Sequence, residues 1–188
     1  MKSEIQSEQL MDKSQISEVI RRIAKEITED IKPIEEGIMI GIRSRGGDMA
    51  KRIAKEIKKI TSFDIPIGYI DTTLYRDDIA FSGPKPVLQK TEIPFSITNR
   101  RIILVDDVLY TGRTIRAALD ALIDFGRPKC IRLAVLIDRG NRELPIYADY
   151  VGKKFDLPIA KSVKVTLVEE NGKKDQAIIL PFPEKVSW

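Results

Sequence analysis

The chain contains no histidine. Every triad, metal cluster or proton shuttle built on imidazole is therefore excluded. Cysteine is nearly absent: Cys130 stands alone inside an apolar run, so no disulfide framework can form, and the composition fits a reducing cytoplasm. No stretch reaches the roughly 18 apolar residues that a membrane span needs. The amino-terminal MKSEIQSEQLMDK has neither an apolar core nor a cleavage signal. A soluble, cytoplasmic protein with no membrane partner is expected. An excess of one charge is also lacking: 32 basic residues against 28 acidic leave a net +4, which permits binding to phosphates or nucleic acid without demanding it. There is no internal repeat and no low-complexity segment. Neither G-x-x-x-x-G-K-[ST] nor G-x-G-x-x-G occurs, which removes two common nucleotide-binding loops.

What is present suits one domain. A chain of 188 residues, 43% hydrophobic, can bury a core unaided. We expect a polar, frayed tail over 1–13, a single domain over 14–182 and a short tail over 183–188 ending in Trp188. Ile16, Val19, Ile20, Ile23, Ala24, Ile27 and Ile31 recur at helical spacing, with Ser14 as a plausible cap and Pro33 as the stop. GIMIGIR (37–43), IPIGYID (65–71), RIILVDD (101–107) and CIRLAVLID (130–138) read as buried strands. Met49, Ala50, Ile53, Ala54 and Ile57 mark one intervening helix, and Ile115, Ala118, Leu119, Leu122 and Ile123 another. VKVTLVEE and AIILP flank Asn171–Gly172, the signature of an antiparallel hairpin. Residues 80–99, with Gly83, Pro84, Pro86 and Pro94, show little periodicity and read as a long functional loop. The alternation predicts an α/β fold with a doubly wound, mostly parallel sheet. Ligands bind such sheets at the carboxyl ends of the strands.

Three strands run into polar sequence at that end: Arg43-Ser44-Arg45-Gly46, Asp106-Asp107 and Asp138-Arg139-Gly140. The sharpest signal is VDDVLYTGRT (105–114). Two carboxylates end a buried strand, and Thr111, Gly112, Arg113 and Thr114 open the next helix. Unpaired N–H groups at a helix start attract anions, and Gly112 lets backbone approach closely. The acids cannot bind a phosphate but can accept from a sugar's two hydroxyls. Phosphate plus diol describes a ribose 5-phosphate site. The plainer alternative is a capped strand end followed by an ordinary helix start. Arg43 and Arg45 suit a polyanion held at a strand end, or else simply face solvent.

GIRSRGGDMAKRIA, DTTLYRDDI, RRIILVDDVLYTGRTIRAALDALIDFGRP and LAVLIDRGNRELPIYADYVGK together resemble the type I phosphoribosyltransferases. More narrowly, they resemble the regulators of pyrimidine operon attenuation that double as uracil phosphoribosyltransferases. LYRDD, VDDVLYTGRT and DRG-x-RELP carry the narrower likeness. It implies the reaction of uracil with phosphoribosyl pyrophosphate (PRPP) to give UMP and pyrophosphate, with Mg²⁺ bound alongside PRPP. It also implies binding of pyrimidine-operon leader RNA, controlled by UMP or a related nucleotide such as UTP, and assembly as a homodimer or higher homo-oligomer.

By the same resemblance, Asp106 and Asp107 hold the ribose hydroxyls and Thr111 to Thr114 hold the 5-phosphate. Arg43, Ser44, Arg45 and Gly46 hold the pyrophosphate. Tyr75, Arg76, Asp77 and Asp78 stand at the base of a flexible loop, with Arg76 and Asp78 in the catalytic set; the alternative is a charged turn. Leu136, Ile137, Asp138, Arg139 and Asn141 flank the base. Asp138 either reaches Mg²⁺ through water or caps its strand. Arg21, Lys25 and Arg142 are the RNA contacts, unless the stripe on the first helix is merely a solvated face. The family usually reads DRG-His-RELPI-Arg-AD, where this chain has Asn141 and Tyr147. Asn141 cannot carry a proton, and Tyr147 loses a cation but can stack on a base. Two narrower readings therefore stand beside the dual one: an enzyme without RNA regulation, and an RNA-binding nucleotide sensor with negligible turnover.

Overall fold

The computed structural model describes residues 8–43, 45–77, 89–169 and 174–181. The isoleucine stripe predicted near the amino terminus is the buried face of helix α1 (Lys13–Asp30), which stops ahead of Pro33. Its cap is Asp12 rather than Ser14. The Asp12 carboxylate accepts from the Gln15 N–H at 2.8 Å, and the Gln15 side chain accepts from the Asp12 N–H at 3.0 Å. Such a reciprocal box needs Gln or Glu three residues past the cap. Asp12 has Gln15 there, whereas Ser14 has Ser17. The residues before the cap were expected to fray, but Glu8–Met11 form strand β1 with Met11 fully buried.

Five parallel strands make the central sheet. In chain order they are β2 (Gly37–Ile42), β3 (Ile67–Ile70), β4 (Arg101–Leu109), β5 (Cys130–Asp138) and β6 (Tyr150–Lys154), arranged 3-2-4-5-6. Side chains alternate across it. Met39, Ile103 and Val105 pack toward α1 and α2 (Arg45–Thr61). Ile38, Ile40, Ile42, Ile102 and Leu104 belong to the second core cluster, with α3 (Arg113–Ile123). Strand β6 was not expected, because only Tyr150 in it is buried and it has no apolar run. The expected hairpin is present as β7 (Lys161–Thr166) and β8 (Gln176–Pro181). It forms a separate antiparallel sheet in the order β1-β8-β7. Its turn at Asn171–Gly172, and residues 80–88 of the predicted long loop, lie outside the described residues.

The hairpin is fixed to α2 by one arginine. Arg52 donates to both oxygens of Asp175 at 2.8 Å and to Glu169 at 2.8 and 2.5 Å. The Arg52 hydrogen bonds hold the Asp175 carboxyl below its ordinary range despite burial.

Candidate active site

Register brings the strand ends together. Gly41 of β2 lies opposite Val105 of β4, and Leu109 lies opposite Asp138 of β5. The chain leaving β2 therefore starts α2 beside Asp106. A Cβ on Gly46 would run into the Val105 carbonyl and lie 3.1 Å from the Asp106 Cα. One on Gly41 would lie 2.5 Å from the Gly47 Cα. Glycine at these positions is what lets three backbones meet.

Asp106 and Asp107 lie within β4, which runs on to Leu109, rather than just beyond the strand. Asp106 is buried, and its Oδ1 accepts from the Asp107 N–H at 2.9 Å. Burial first, then the neighbouring Asp107 charge, push the Asp106 carboxyl well above its ordinary range. The Asp107 N–H and the Arg76 guanidinium act against that rise. Arg45 reaches the Asp107 carboxylate at 3.2 Å. Arg43 sits further toward the sheet edge, 3.3 Å from Glu92 and over the Tyr69 ring. Ser44 and Asp78 lie outside the described residues.

The helix start reads as the sequence suggested. Gly112 is the α3 N-cap with φ +94°, a conformation that favours glycine, and it offers no side-chain cap. The Arg113 N–H points to the Thr111 hydroxyl at 3.3 Å. Thr114 follows in the first turn. The Arg113 guanidinium is committed elsewhere, to Asp77 and Glu143, each at 2.7 Å. What Arg113 offers a phosphate is thus its backbone.

The base segment differs most from expectation. Leu136 and Ile137 are fully buried, with Ile137 laddered between Val108 of β4 and Lys153 of β6, so neither residue is open to a ligand. The Asp138 Oδ1 accepts from the Gly140 N–H at 3.0 Å and pairs with Arg142 at 2.5 Å, which is the strand-capping role. Arg139 is 1% exposed and turned into the protein. It donates to the Lys161 and Pro158 carbonyls at 2.6 and 3.1 Å and lies 4.0 Å over the Tyr110 ring. Burial lowers its pKa, with Tyr110 opposing. A cation there must satisfy buried carbonyls and cannot also serve a base. Asn141 has φ +56°, and its side-chain amide donates to the Leu157 carbonyl at 2.5 Å. It closes the chain on itself instead of presenting its amide to a ligand.

The predicted RNA contacts separate as well. Arg21 and Lys25 are exposed on α1, Lys25 lying 3.8 Å from Glu29. The Arg142 side chain is only 14% exposed and points inward, away from any such surface. Arg22, beside them, is held by the Val151 and Gly152 carbonyls.

Sequence reasoning missed Asp71 and the clamp on the loop base. Asp71 accepts from the Thr73 and Gln89 N–H groups at 2.9 and 2.6 Å, joining the two ends of the long loop. Arg116 donates to the Tyr75 carbonyl, and the Tyr75 hydroxyl to Asp124 at 2.6 Å. Asp71 does carry a signal, a carboxylate where a buried strand ends. The arginine clamp carries none.

Among the described residues, no three or more acidic or cysteine side chains converge as a metal cage. Paired carboxylates beside an anion cradle suit instead a hard cation carried in by a substrate's own oxygens. No helix among them is long and apolar enough to cross a membrane.

Comparison with known proteins agrees with this geometry. The phosphoribosyl transferase domain family matches residues 6–170. The bifunctional protein PyrR of Pelotomaculum thermopropionicum is 49% identical over 176 residues, covering 94% of this chain and 97% of that protein. Its namesake from Acetivibrio thermocellus is 51% identical over 168 residues, covering 89% and 91%. A hypoxanthine-guanine phosphoribosyltransferase from Bacillus anthracis has a TM-score of 0.70 at 22% identity. It covers 94% of this chain and 99% of its own, and it shows the fold alone. The chain belongs to the phosphoribosyl transferase domain family and, within it, to the bifunctional PyrR proteins.

Proposed function

We propose that the chain transfers the phosphoribosyl group of PRPP to uracil in the cytoplasm, releasing pyrophosphate, and that it binds pyrimidine-operon leader RNA under control of UMP or UTP. The observation that carries the enzymatic reading is one juxtaposition. Two adjacent carboxylates near the end of β4, buried Asp106 and half-buried Asp107, stand a few residues before a helix start at Gly112 that has no side-chain cap. The first-turn N–H groups and the Thr111 and Thr114 hydroxyls hold the 5-phosphate, while the carboxylates accept from the ribose hydroxyls. The loop from Arg43 to Gly46 is assigned the departing pyrophosphate, with Arg45 beside Asp107 as its nearest cation, and Arg76 adds positive charge near Asp106. As the bond from the anomeric carbon to pyrophosphate breaks and the bond to the base nitrogen forms, with the proton of that nitrogen passing to pyrophosphate or solvent, these residues hold the two ends of the sugar still. Bound Mg²⁺ supplies charge stabilisation for the leaving group. Uracil is read by backbone groups of the Leu136–Arg142 segment, at and beyond the end of β5.

The RNA reading draws on the bifunctional relatives, on exposed Arg21 and Lys25, and on Tyr147, which is 76% exposed and free to stack on a base. A homo-oligomer would enlarge that face. The enzyme-only reading is favoured by one observation, the inward Arg142.

Comparing uracil, orotate, hypoxanthine and guanine as acceptors with PRPP and Mg²⁺ tests the enzymatic part; uracil should be preferred. Titrating a leader-RNA hairpin with and without UMP tests the regulatory part. Affinity should fall steeply with salt, and UMP should tighten RNA by the factor by which RNA tightens UMP. No binding at low salt would leave an enzyme alone.

A further inference from the structure

We propose that Arg142 is a positioning residue that fixes the phosphate loop against the base segment; this rests on reading Thr111–Thr114 as the 5-phosphate site. Strand β4 ends at Leu109, and the chain must then turn to start α3. The Leu109 carbonyl still takes the Arg139 N–H at 3.1 Å, but the Tyr110 carbonyl lies past the ladder, and burying such a group without a donor is costly. Arg142 supplies the donors. Its Nη1 donates to the Tyr110 carbonyl at 2.6 Å and reaches those of Leu109 and Gly140 at 3.3 Å. Its Nε donates to the Ile146 carbonyl at 2.9 Å, and its Nη2 pairs with Asp138 at 2.5 Å. One planar guanidinium thus ties the phosphate loop on one side to both ends of the 138–146 segment on the other. Backbone bonds run in parallel: the Glu143 and Leu144 N–H groups both donate to the Thr111 carbonyl at 3.0 Å.

The consequence is directional. Where the N–H groups of Gly112 to Thr114 point depends on where Leu109 to Thr111 lie, and Arg142 holds two of those three residues by their carbonyls. An anion cradle loses affinity when its donors shift by fractions of an ångström. Lysine cannot substitute, because a point charge has no fork with which to span several acceptors. The same geometry argues against a direct RNA contact. Both Arg142 and Asp138 are 14% exposed and paired to each other, so little of this cation's charge reaches a polyanion in solvent.

The test compares wild type, Arg142→Lys and Arg142→Ala. PRPP affinity with Mg²⁺ is measured by calorimetric titration, alongside kcat, KM for PRPP and for the base, and the unfolding midpoint. Wild type binding PRPP establishes the site itself. Arg142→Lys, which keeps the charge, should then raise the PRPP Kd and KM roughly ten- to hundredfold, with a much smaller change in KM for the base. Low concentrations of ethylguanidinium should restore part of the loss in Arg142→Ala. A purely structural role would lower the midpoint without this split or rescue. Should Arg142→Ala not fold, the lysine variant decides alone. If wild type binds PRPP and Arg142→Lys binds it equally well, the positioning role is overturned. If wild type does not bind PRPP, the site reading itself fails and this inference falls with it.

Discussion

Replacing Asp106 by asparagine should stabilise the ligand-free protein and weaken its hold on PRPP. Burial, and then the adjacent Asp107 charge, raise the pKa of the Asp106 carboxyl. An acid raised in this way contributes stability that is fully present below its unfolded-state pKa and is lost as pH rises through the raised folded value. Above that value the ionised carboxylate is a cost to folding. Asparagine removes the charge but keeps an oxygen in the place where Oδ1 accepts the Asp107 N–H at 2.9 Å. The opposing effect is loss of attraction to Arg76, which acts on this group more weakly than burial or the Asp107 charge. Relieving a destabilised functional group is typically worth about 0.5–2 kcal/mol. For a chain of this size each 1 kcal/mol moves the unfolding midpoint by about 2–4 °C, so a rise of roughly 1–8 °C is expected at high pH. The gap should close as pH falls, because only the wild type regains stability by taking up the proton. In the ribose site, losing a charge-assisted hydrogen bond costs about 1.5–3 kcal/mol, or roughly ten- to hundredfold in PRPP affinity. Calorimetric unfolding from pH 8 to pH 5 and PRPP titration measure both sides. A midpoint several degrees lower at pH 8, together with unchanged PRPP affinity, would refute the reasoning.

Asp175→Asn weakens the bidentate pair with Arg52 but leaves that cation paired to Glu169, so it should cost about 1.5–3 kcal/mol in denaturant unfolding, the worth of a hydrogen bond to a charged group. Because the Asp175 carboxyl is held below its ordinary range, its contribution is present above the unfolded-state pKa and is lost as acid takes the pH down through the folded value. Asp12→Ala breaks the capping box of α1 and should cost about 1 kcal/mol, read as a lower midpoint with unchanged PRPP binding. Gly46→Ala sets its new methyl against the Val105 carbonyl and the Asp106 backbone, neither of which can move aside. Overpacking of this kind should cost about 1–3 kcal/mol and abolish tight PRPP binding, whereas a neutral result would show that α2 can retreat from β4.

The strands that carry the site were legible because they are buried on both faces. RIILVDD and CIRLAVLID are apolar runs that end in acid, and both ends fall at the crevice. Strand β6 was not legible. Tyr150–Lys154 has one buried residue, and its pairing with β5 and packing under α1 at Gly152 are contacts between residues far apart in the chain. β1 was hidden for the same reason, since Glu8–Met11 is a strand only because β8 lies beside it. Local pattern reports which face of an element is apolar, and it is silent where the neighbour supplies the order.

The arginines show a second kind of limit. A sequence gives the charge of Arg139, Arg142 and Arg113 but not the direction of their side chains, and at the end of a β-strand direction decides the role. All three stand beside loops that read as ligand-binding, and all three spend their guanidinium groups on the protein itself. Arg139 lies over Tyr110 and ties it to the carbonyls of Pro158 and Lys161. Arg142 gathers the carbonyls on either side of the same loop, and Arg113 joins that loop's helix to Asp77 and Glu143. A phosphate cradle made of backbone N–H groups needs this arrangement. Backbone donors are strong only if the loop that aims them cannot relax, and a loop of half-buried carbonyls holds its shape only if something with several fixed donors spans them. The DRG-x-RELP stretch is therefore specific for a reason beyond ligand contact: its arginines shape the loop proposed to hold the 5-phosphate, so a conservative change to lysine should be felt in PRPP binding even though none of these side chains need meet the substrate.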